Sequence, residues 1–371
     1  MNRRKFLAGT AATVVIAGTS VYLLSDKHNF ERSDSALEQN KKTGLKADEI
    51  KILSLASLAP SGHNTQPWFI KCVAPYQWII CNDKRRWLPA VDPTQRETIL
   101  SIGTFLQNLE YAADSLGYRT HFKLMASTNQ QEEVMEVKLF ESDNRFSFDV
   151  ECIKQRRTVR SNLLSDPLKI EDLRYLISED KDLIHFIPGL SRQYEYINEQ
   201  TIEANKIQSY RNTAQRELAN WIRFSSAEAK KKLDGLTTGS MEIEGVPGWV
   251  VRNFYDQKNV MSKSFRDKGI AQVEKQVASS AGWFLITSKV DSVGALIETG
   301  KMMQRLFLKV RDKNIGIHPM TQILEEPSIK QSLNTSVGIK DQIQFILRTG
   351  YVKNYPDPVS LRRPLDMFVR S

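Results

Sequence analysis

Two short stretches carry residues whose types and spacing suit ligand chemistry. The first is Ala59-Pro60-Ser61-Gly62-His63-Asn64-Thr65-Gln66-Pro67-Trp68, at the end of a helical run. Pro, Ser, Gly and Asn build a turn with exposed backbone donors and short polar side chains. Such a turn can hydrogen-bond a planar heterocycle rich in carbonyls and ring nitrogens, although an ordinary polar turn accounts for the residue types better. The second is Arg156-Arg157-Thr158-Val159-Arg160. Closely spaced guanidinium groups with a hydroxyl between them can clamp a dianionic phosphate through forked donors; a solvated basic loop is the equal alternative.

Together the two stretches resemble the FMN-dependent nitroreductase family. The Pro60–Asn64 turn resembles the one with which that family holds flavin from the neighbouring subunit, so the resemblance implies FMN contacts at Pro60, Ser61 and Asn64. The arginine cluster resembles the family's phosphate-binding opening, where Arg, Ser and a second cation alternate; Thr158 replaces the serine and keeps its hydroxyl. Arg156, Thr158 and Arg160 match the contacting positions, and Arg157 between them is expected to touch the flavin. Ile317-His318-Pro319-Met320-Thr321 resembles the segment whose backbone approaches the flavin ring, which implies Pro319, Met320 and Thr321. Arg362-Arg363-Pro364 resembles the C-terminal cation pair at the phosphate, with plain surface arginines as the alternative.

In the ordinary family the arginine opening precedes the Pro-Ser turn within one short chain that dimerises. Here the turn comes first, and each half of the chain lacks the motif that the other holds. These complementary losses imply a fused pseudo-dimer with one composite FMN site, similar to the two-lobed Acg-like branch, over most of residues 47–371. The resemblance then implies an oxidoreductase passing hydride or electrons through flavin to a small electron-poor acceptor such as a nitroaromatic or quinone, the chemistry residing on the cofactor. No catalytic side chain stands out. The alternative is a flavin-binding or flavin-storage protein with little or no turnover. His63 and His318 either face the ligand or are structural. The five histidines lack metal-ligand spacing, no GxSxG elbow appears, and Gly235-Leu236-Thr237-Thr238-Gly239-Ser240 lacks the lysine of a P-loop.

These motifs need a scaffold. Apolar residues at 99, 102, 106, 109, 113 and 116 follow one helix face. Asp92 as cap, Pro93 at the first helical position and Gln95 as capping-box partner mark its start. An internal repeat recurs at an offset of 197 residues: Gly103, Gln107, Leu109 and Gly117 correspond to Gly300, Gln304, Leu306 and Asn314. Gly117 and Asn314 suit left-handed helix stops, and matching helices suggest two related lobes. Strands are expected at Phe69–Val73, Trp78–Cys81, Arg119–Met125, Val134–Phe140, Trp283–Ile286 and Gln344–Leu347. Helices mixed with short strands, without regular βαβ alternation, indicate an α+β fold. The expected division is a signal segment at 1–25, a linker at 26–46, a first lobe at 47–150 and a second at 151–371. An insertion at about 195–263 either covers the site or buttresses it.

Composition is that of a globular protein with a substantial core, 41% hydrophobic and 26% charged. The net charge of +9 arises from cations scattered among 43 acids, and the longest run, Lys230-Lys231-Lys232, reads as a solvated helix face rather than a nucleic-acid surface. Three cysteines without a CxxC indicate neither a zinc site nor a disulfide framework; Cys72 and Cys81 read as core residues, with a disulfide between them as the alternative. The opening Asn2-Arg3-Arg4-Lys5-Phe6-Leu7, followed by a mildly apolar run from Ala8 to Leu24, closely resembles a twin-arginine signal. Export machinery is therefore an expected partner, with a location in the periplasm or on the outer face of the cytoplasmic membrane. Val21-Tyr22-Leu23-Leu24 is too bulky for a clear cleavage site, which leaves the segment able to stay as a membrane tether.

Overall fold

The computed structural model describes residues 44–142 and 148–370, together with Asp26, Phe30 and Arg32. The expected signal segment and most of the 26–46 linker lie outside the described residues. Asp26 is nevertheless held by the body of the protein: Ser226 donates to its carboxylate, and its own N–H donates to Asn253 Oδ1 at 2.8 Å. Among the described residues no helix is long and apolar enough to cross a membrane.

The first lobe contains α1 (Ala47–Ala56), β1 (Trp68–Ala74), β2 (Gln77–Asn82), α2 (Arg96–Ser115), β3 (Tyr118–Leu124) and β4 (Glu133–Glu141). The second opens with α3 (Glu151–Gln155), α4 (Ile170–Ile177), β5 (Ile184–Pro188) and α5 (Arg192–Tyr210). A helical stretch follows: α6 (Asn212–Trp221), α7 (Ser226–Lys232), α8 (Gly245–Phe254), α9 (Gln257–Val260) and α10 (Lys263–Val277). It continues through β6 (Gly282–Ser288), α11 (Val293–Lys309), β7 (Ile315–Pro319), α12 (Gln322–Glu325), α13 (Pro327–Val337) and β8 (Gln342–Tyr351), and ends with β9 (Val369–Arg370). The sheets have the orders β3-β4-β2-β1-β9 and β5-β6-β8-β7. Every pairing is antiparallel except β1 with β9, where Ile70 stands opposite Val369. The fold is thus α+β in two lobes.

Strand β6 shows why the second sheet forms. All seven residues are buried, and alternate side chains point to opposite faces. Trp283 and Leu285 join the apolar cluster of α5, α10 and α13, whereas Phe284 and Ile286 join the core around α2 and α11. A strand covered on both faces reads as a continuous apolar run. Each such side chain, fully removed from water, contributes about 1.5–3 kcal/mol.

The lobes meet where α2 crosses α11. A Cβ on Gly103 would lie 2.3 Å from Ile297 O, and one on Gly300 would lie 2.1 Å from Leu100 O. The four positions exchange under the 197-residue offset, which is the reciprocal pattern of a two-fold contact. Polar bonds flank it: Gln304 Nε2 donates to Asn108 Oδ1 at 2.7 Å and Arg305 donates to Gln107 Oε1 at 2.9 Å.

Several expectations need correction. Helix α2 starts at Arg96, not at Pro93, because Leu88–Gln95 closes in turns and Gln95 adopts a left-handed φ of 59°. Asp92 still accepts from Thr98 N at 3.1 Å. Gly117 and Asn314 are left-handed, at 81° and 50°. All three cysteines are free; Cys72 is half-buried and faces Trp78 across the ladder, while Cys81 faces Phe69. Strands β5 and β7 went unread. Helix α5 belongs to the second lobe, with Tyr194, Ile197 and Ala204 in its outer apolar cluster. The expected insertion at about 195–263 thus shares α5 with that cluster. Its Lys230–Lys232 run is exposed on α7, as a solvated face should be.

Candidate functional site

The Pro60–Asn64 turn is strained and tightly tied. His63, Asn64 and Gln66 all have positive φ, at 47°, 53° and 51°, a conformation that costs non-glycine residues free energy unless the surroundings impose it. Asn64 supplies much of that imposition. Its Nδ2 donates to Gly235 O and Leu361 O, both at 3.1 Å, and its Oδ1 accepts from Arg362 Nη1 at 2.8 Å. The backbone of Gly235 donates to Asn64 O at 3.1 Å. Residues from the insertion and from 361–363 thus fix a turn that belongs to the first lobe.

The Arg156–Arg160 stretch is extended, and Val159 N donates to Ile317 O beside β7 at 3.0 Å. Neighbouring side chains in extended backbone point to opposite sides. Thr158 and Arg160 accordingly line one cavity, Arg157 and Val159 another. Arg157 donates to Asp357 O and lies 3.5 Å from Glu242 Oε1. Arg157, expected beside the same ligand as Thr158, thus lines a different cavity.

The cavity that holds Thr158 and Arg160 has a volume of about 370 Å³, within the span of roughly 300–1,000 Å³ usual for small-molecule sites. It brings Pro60, Ser61, Gly62 and His63 of the first lobe against Thr158, Arg160, Pro319 and Thr321 of the second. The insertion closes another side with Ala214, Leu218, Leu236 and Met241. The lining combines short hydroxyls, one guanidinium and apolar side chains. That arrangement suits a flat, polar-edged molecule with an anionic group.

Electrostatics point the same way. Arg156 is 5% exposed and makes no ion pair among the described residues. Its Nη2 reaches Leu58 O at 3.4 Å, its guanidinium lies over the Phe307 ring, and Nε and Nη1 have no partner. Burial works against its charge, and each orphaned donor costs about 1–3 kcal/mol. An anion would relieve both penalties. Arg160 is aimed by two contacts: Nε donates to Ser240 O at 3.0 Å, and Nη1 meets His318 Nε2 at 2.9 Å. Since guanidinium only donates, His318 must accept and stay neutral; burial and Arg160 hold its pKa well below the usual range. Burial, with Arg160 beside it, also lowers His63 to about 4.

Other anticipated residues lie outside this cavity wall. Met320 is buried in the second lobe's outer cluster, with its N–H donating to Ile346 O at 2.9 Å, because β7 turns it into the core. Arg362 donates to Leu58 O at 2.9 Å and Ala59 O at 3.1 Å besides Asn64. Arg363 donates to Gln66 O and Trp68 O at 2.6 and 2.7 Å. These two arginines are buried braces of the turn rather than surface residues. Sequence reasoning missed Glu97, Asn205, Gln208, Gln322 and Glu325, all lining the cavity. The buried polar atoms His63 Nδ1, Asn205 Oδ1 and Gln322 Oε1 have no partner among the described residues. Only the fold brings these residues together, so no local motif announced them.

The site is thus an interlobe cavity lined by hydroxyls, carboxylates, one arginine and apolar side chains. No protein-family model matches the chain. It is similar to a Mycobacterium tuberculosis protein named "Putative NAD(P)H nitroreductase acg", with 23% identity over 337 residues, spanning 87% of this chain and 96% of the relative. A second M. tuberculosis protein of the same designation, Rv3131, is 22% identical over 329 residues, spanning 86% of this chain and 90% of its own. Among solved structures, the FMN and NADPH-dependent nitroreductase NfnB from Sphigopyxis sp. strain HMH aligns over 60% of this chain and 97% of its own, with 12% identity and a TM-score of 0.37. NfnB from Mycobacterium smegmatis, in complex with NADPH, covers 60% and 96% with 14% identity and a TM-score of 0.34.

Proposed function

We propose that this chain is an FMN-binding oxidoreductase of the nitroreductase type, a fused pseudo-dimer with one composite site. Near full-length similarity to named nitroreductases supports the class. The observation that carries the assignment is the shared cavity of Pro60, Ser61, Thr158, Arg160, Pro319 and Thr321. FMN, when bound, supplies hydride and electron transfer to an electron-poor acceptor such as a quinone or nitroaromatic. The protein would bind and orient: Ser61 and the backbone of residues 60–63 would meet the heterocycle, and Thr158 and Arg160 on the cavity wall would serve the anionic tail, with Arg156, outside the lining, offering its two free donors from behind. Arg160 is pointed by a neutral His318. Ala214, Leu218 and Met241 exclude water above the site.

The purified chain should be yellow, with about one FMN per chain. Anaerobic NADPH should bleach the flavin band, and a nitroaromatic should restore it. A colourless chain that takes up no FMN rejects the assignment. The bond from Gly235 N to Asn64 O, which ties the insertion to the turn, favours a second reading in which flavin is held with little turnover. No bleaching by NADPH or by an artificial electron donor would select that reading.

Export of the folded chain by the twin-arginine machinery, to the periplasm or the outer face of the membrane, is part of the proposal and rests on residues 2–24. Replacing Arg3 and Arg4 with lysine should trap the protein in the cytoplasm. Unchanged fractionation would reject the route.

A further inference from the structure

We propose that Glu97 and Glu325 form a carboxylic acid–carboxylate pair that gives its one proton to the acceptor reduced in the interlobe cavity. The inference rests on the flavin reading above and adds the proton donor that the reading lacks.

Glu97 begins α2 in the first lobe, Glu325 ends α12 in the second, and both line the cavity. Both carboxyl groups close on one hydroxyl, that of Thr321. Thr321 Oγ1 lies 3.1 Å from Glu97 Oε1 and 3.1 Å from Glu325 Oε1. One hydroxyl carries one proton and can donate to only one of these oxygens, and two carboxylates cannot donate at all. Every contact becomes attractive only when the pair holds one proton. Around it, Gln208 Nε2 donates to Glu325 Oε2 at 2.6 Å, and Arg96 Nη2 lies 3.1 Å from Glu97 Oε1. Arg96 is itself shared with Gln344, whose backbone oxygen it meets at 2.7 Å, so one divided cation faces two acids. A Cβ on Gly62 would lie 3.3 Å from Glu97 Oε2, which puts this carboxyl directly beneath the ligand-facing turn. The unpartnered oxygens of Asn205 and Gln322 line the same cavity and await a donor-bearing ligand.

The charged and titratable groups facing the pair are Arg96 and Asp92 beside α2, His63 on the turn and Arg160 opposite. Burial first, and then the Glu325 charge, raises the pKa of Glu97 to about 8; burial raises Glu325 as well. The chemistry balances for a quinone. Reduced flavin gives two electrons and one proton as hydride, leaving the quinone a monoanion. An O–H bond of the pair breaks, a new O–H bond forms on the quinone oxygen, and the resulting quinol departs. Solvent then reprotonates the pair.

The test uses the full chain, Glu97→Gln and Glu325→Gln. Infrared titration of the flavin-free proteins should reveal a carboxylic acid in the wild type that persists above pH 7 and ionises near pH 8, absent from both variants. The FMN-loaded proteins, reduced with stoichiometric dithionite, are then mixed anaerobically with a benzoquinone at several pH values. Wild-type reoxidation should slow above about pH 8, whereas the variants should be slower by about 10²-fold and flat across that range. Should Glu97→Gln fail to fold, Glu325→Gln carries the same expectation. A wild-type chain with no acid band at pH 7 overturns the shared proton, and variants with the wild-type pH profile overturn its transfer. A chain that shows the acid band but takes up no FMN overturns the flavin reading and the transfer with it, a pattern distinct from the other two.

Discussion

Arg156 and Arg362 both donate to the carbonyl oxygen of Leu58, at 3.4 and 2.9 Å. Two guanidinium groups thus converge on one neutral acceptor just before the Pro60 turn. Cations so placed repel each other unless an anion joins them, and Arg156 has two donors to offer it.

Arg156→Met should therefore act in opposite directions on the two states. Without ligand, removing a buried and poorly partnered charge should raise the melting temperature. Retention of FMN should fall by about tenfold or more, the worth of a charge-assisted hydrogen bond. Calorimetry with and without FMN reads both effects, and parallel shifts would reject the assignment of Arg156 to the phosphate.

Asn64→Ala removes three side-chain bonds that hold the strained turn. The variant should lose about 2–4 kcal/mol of stability, because buried partners are left unsatisfied. Denaturant unfolding measures the loss. A change within 0.5 kcal/mol would mean that the positive φ values at His63 and Gln66 are imposed by something else.

Gly300→Ala places a Cβ 2.1 Å from Leu100 O and 2.9 Å from Gly103 Cα. Both contacts are backbone, so α2 and α11 must move apart, at a cost of about 1–3 kcal/mol or more. Since α2 carries Glu97 and α11 leads into the Thr321 segment, the variant should also bind FMN more weakly. Equilibrium unfolding and fluorescence titration test the two halves of this expectation separately.

The pH dependence of stability follows from the raised Glu97 pKa. Folding tightens its hold on the proton, so its contribution is complete below the unfolded value of 4.5 and is lost as pH climbs to about 8. His63 has the opposite sign, its pKa falling from 6.5 to about 4, so its contribution is lost as pH drops through that interval. Glu97→Gln should remove the alkaline-side decline and leave the acid-side decline in place. Urea midpoints measured from about pH 4 to 9 decide this, and identical slopes for variant and wild type would refute the Glu97 assignment.

Much of the scaffold was legible because local patterns recorded it. The apolar stripe from 99 to 116 marks α2, the glycines at 103 and 300 mark the helix crossing, and the runs at 283–286 and 344–347 mark buried strands. The turn and the arginine cluster stood out by residue type. What stayed hidden depends on distant partners. Arg157 and Arg160 look alike in sequence, yet they line different cavities. Glu97 looks like an ordinary first-turn acid until the fold brings Thr321 and Glu325 to it. Arg363 looks exposed until it meets the carbonyls of Gln66 and Trp68.

The parallel pairing of β9 with β1 has a consequence for biosynthesis. The first lobe is translated early, but its sheet edge and the braces on its turn arrive with residues 361–370. A nascent chain that has not yet added residues 361–370 therefore carries a first lobe without its β9 edge or its arginine braces. Domains ordinarily fold in the order they emerge; here the earliest segment matures only once residues 361–370 have joined it.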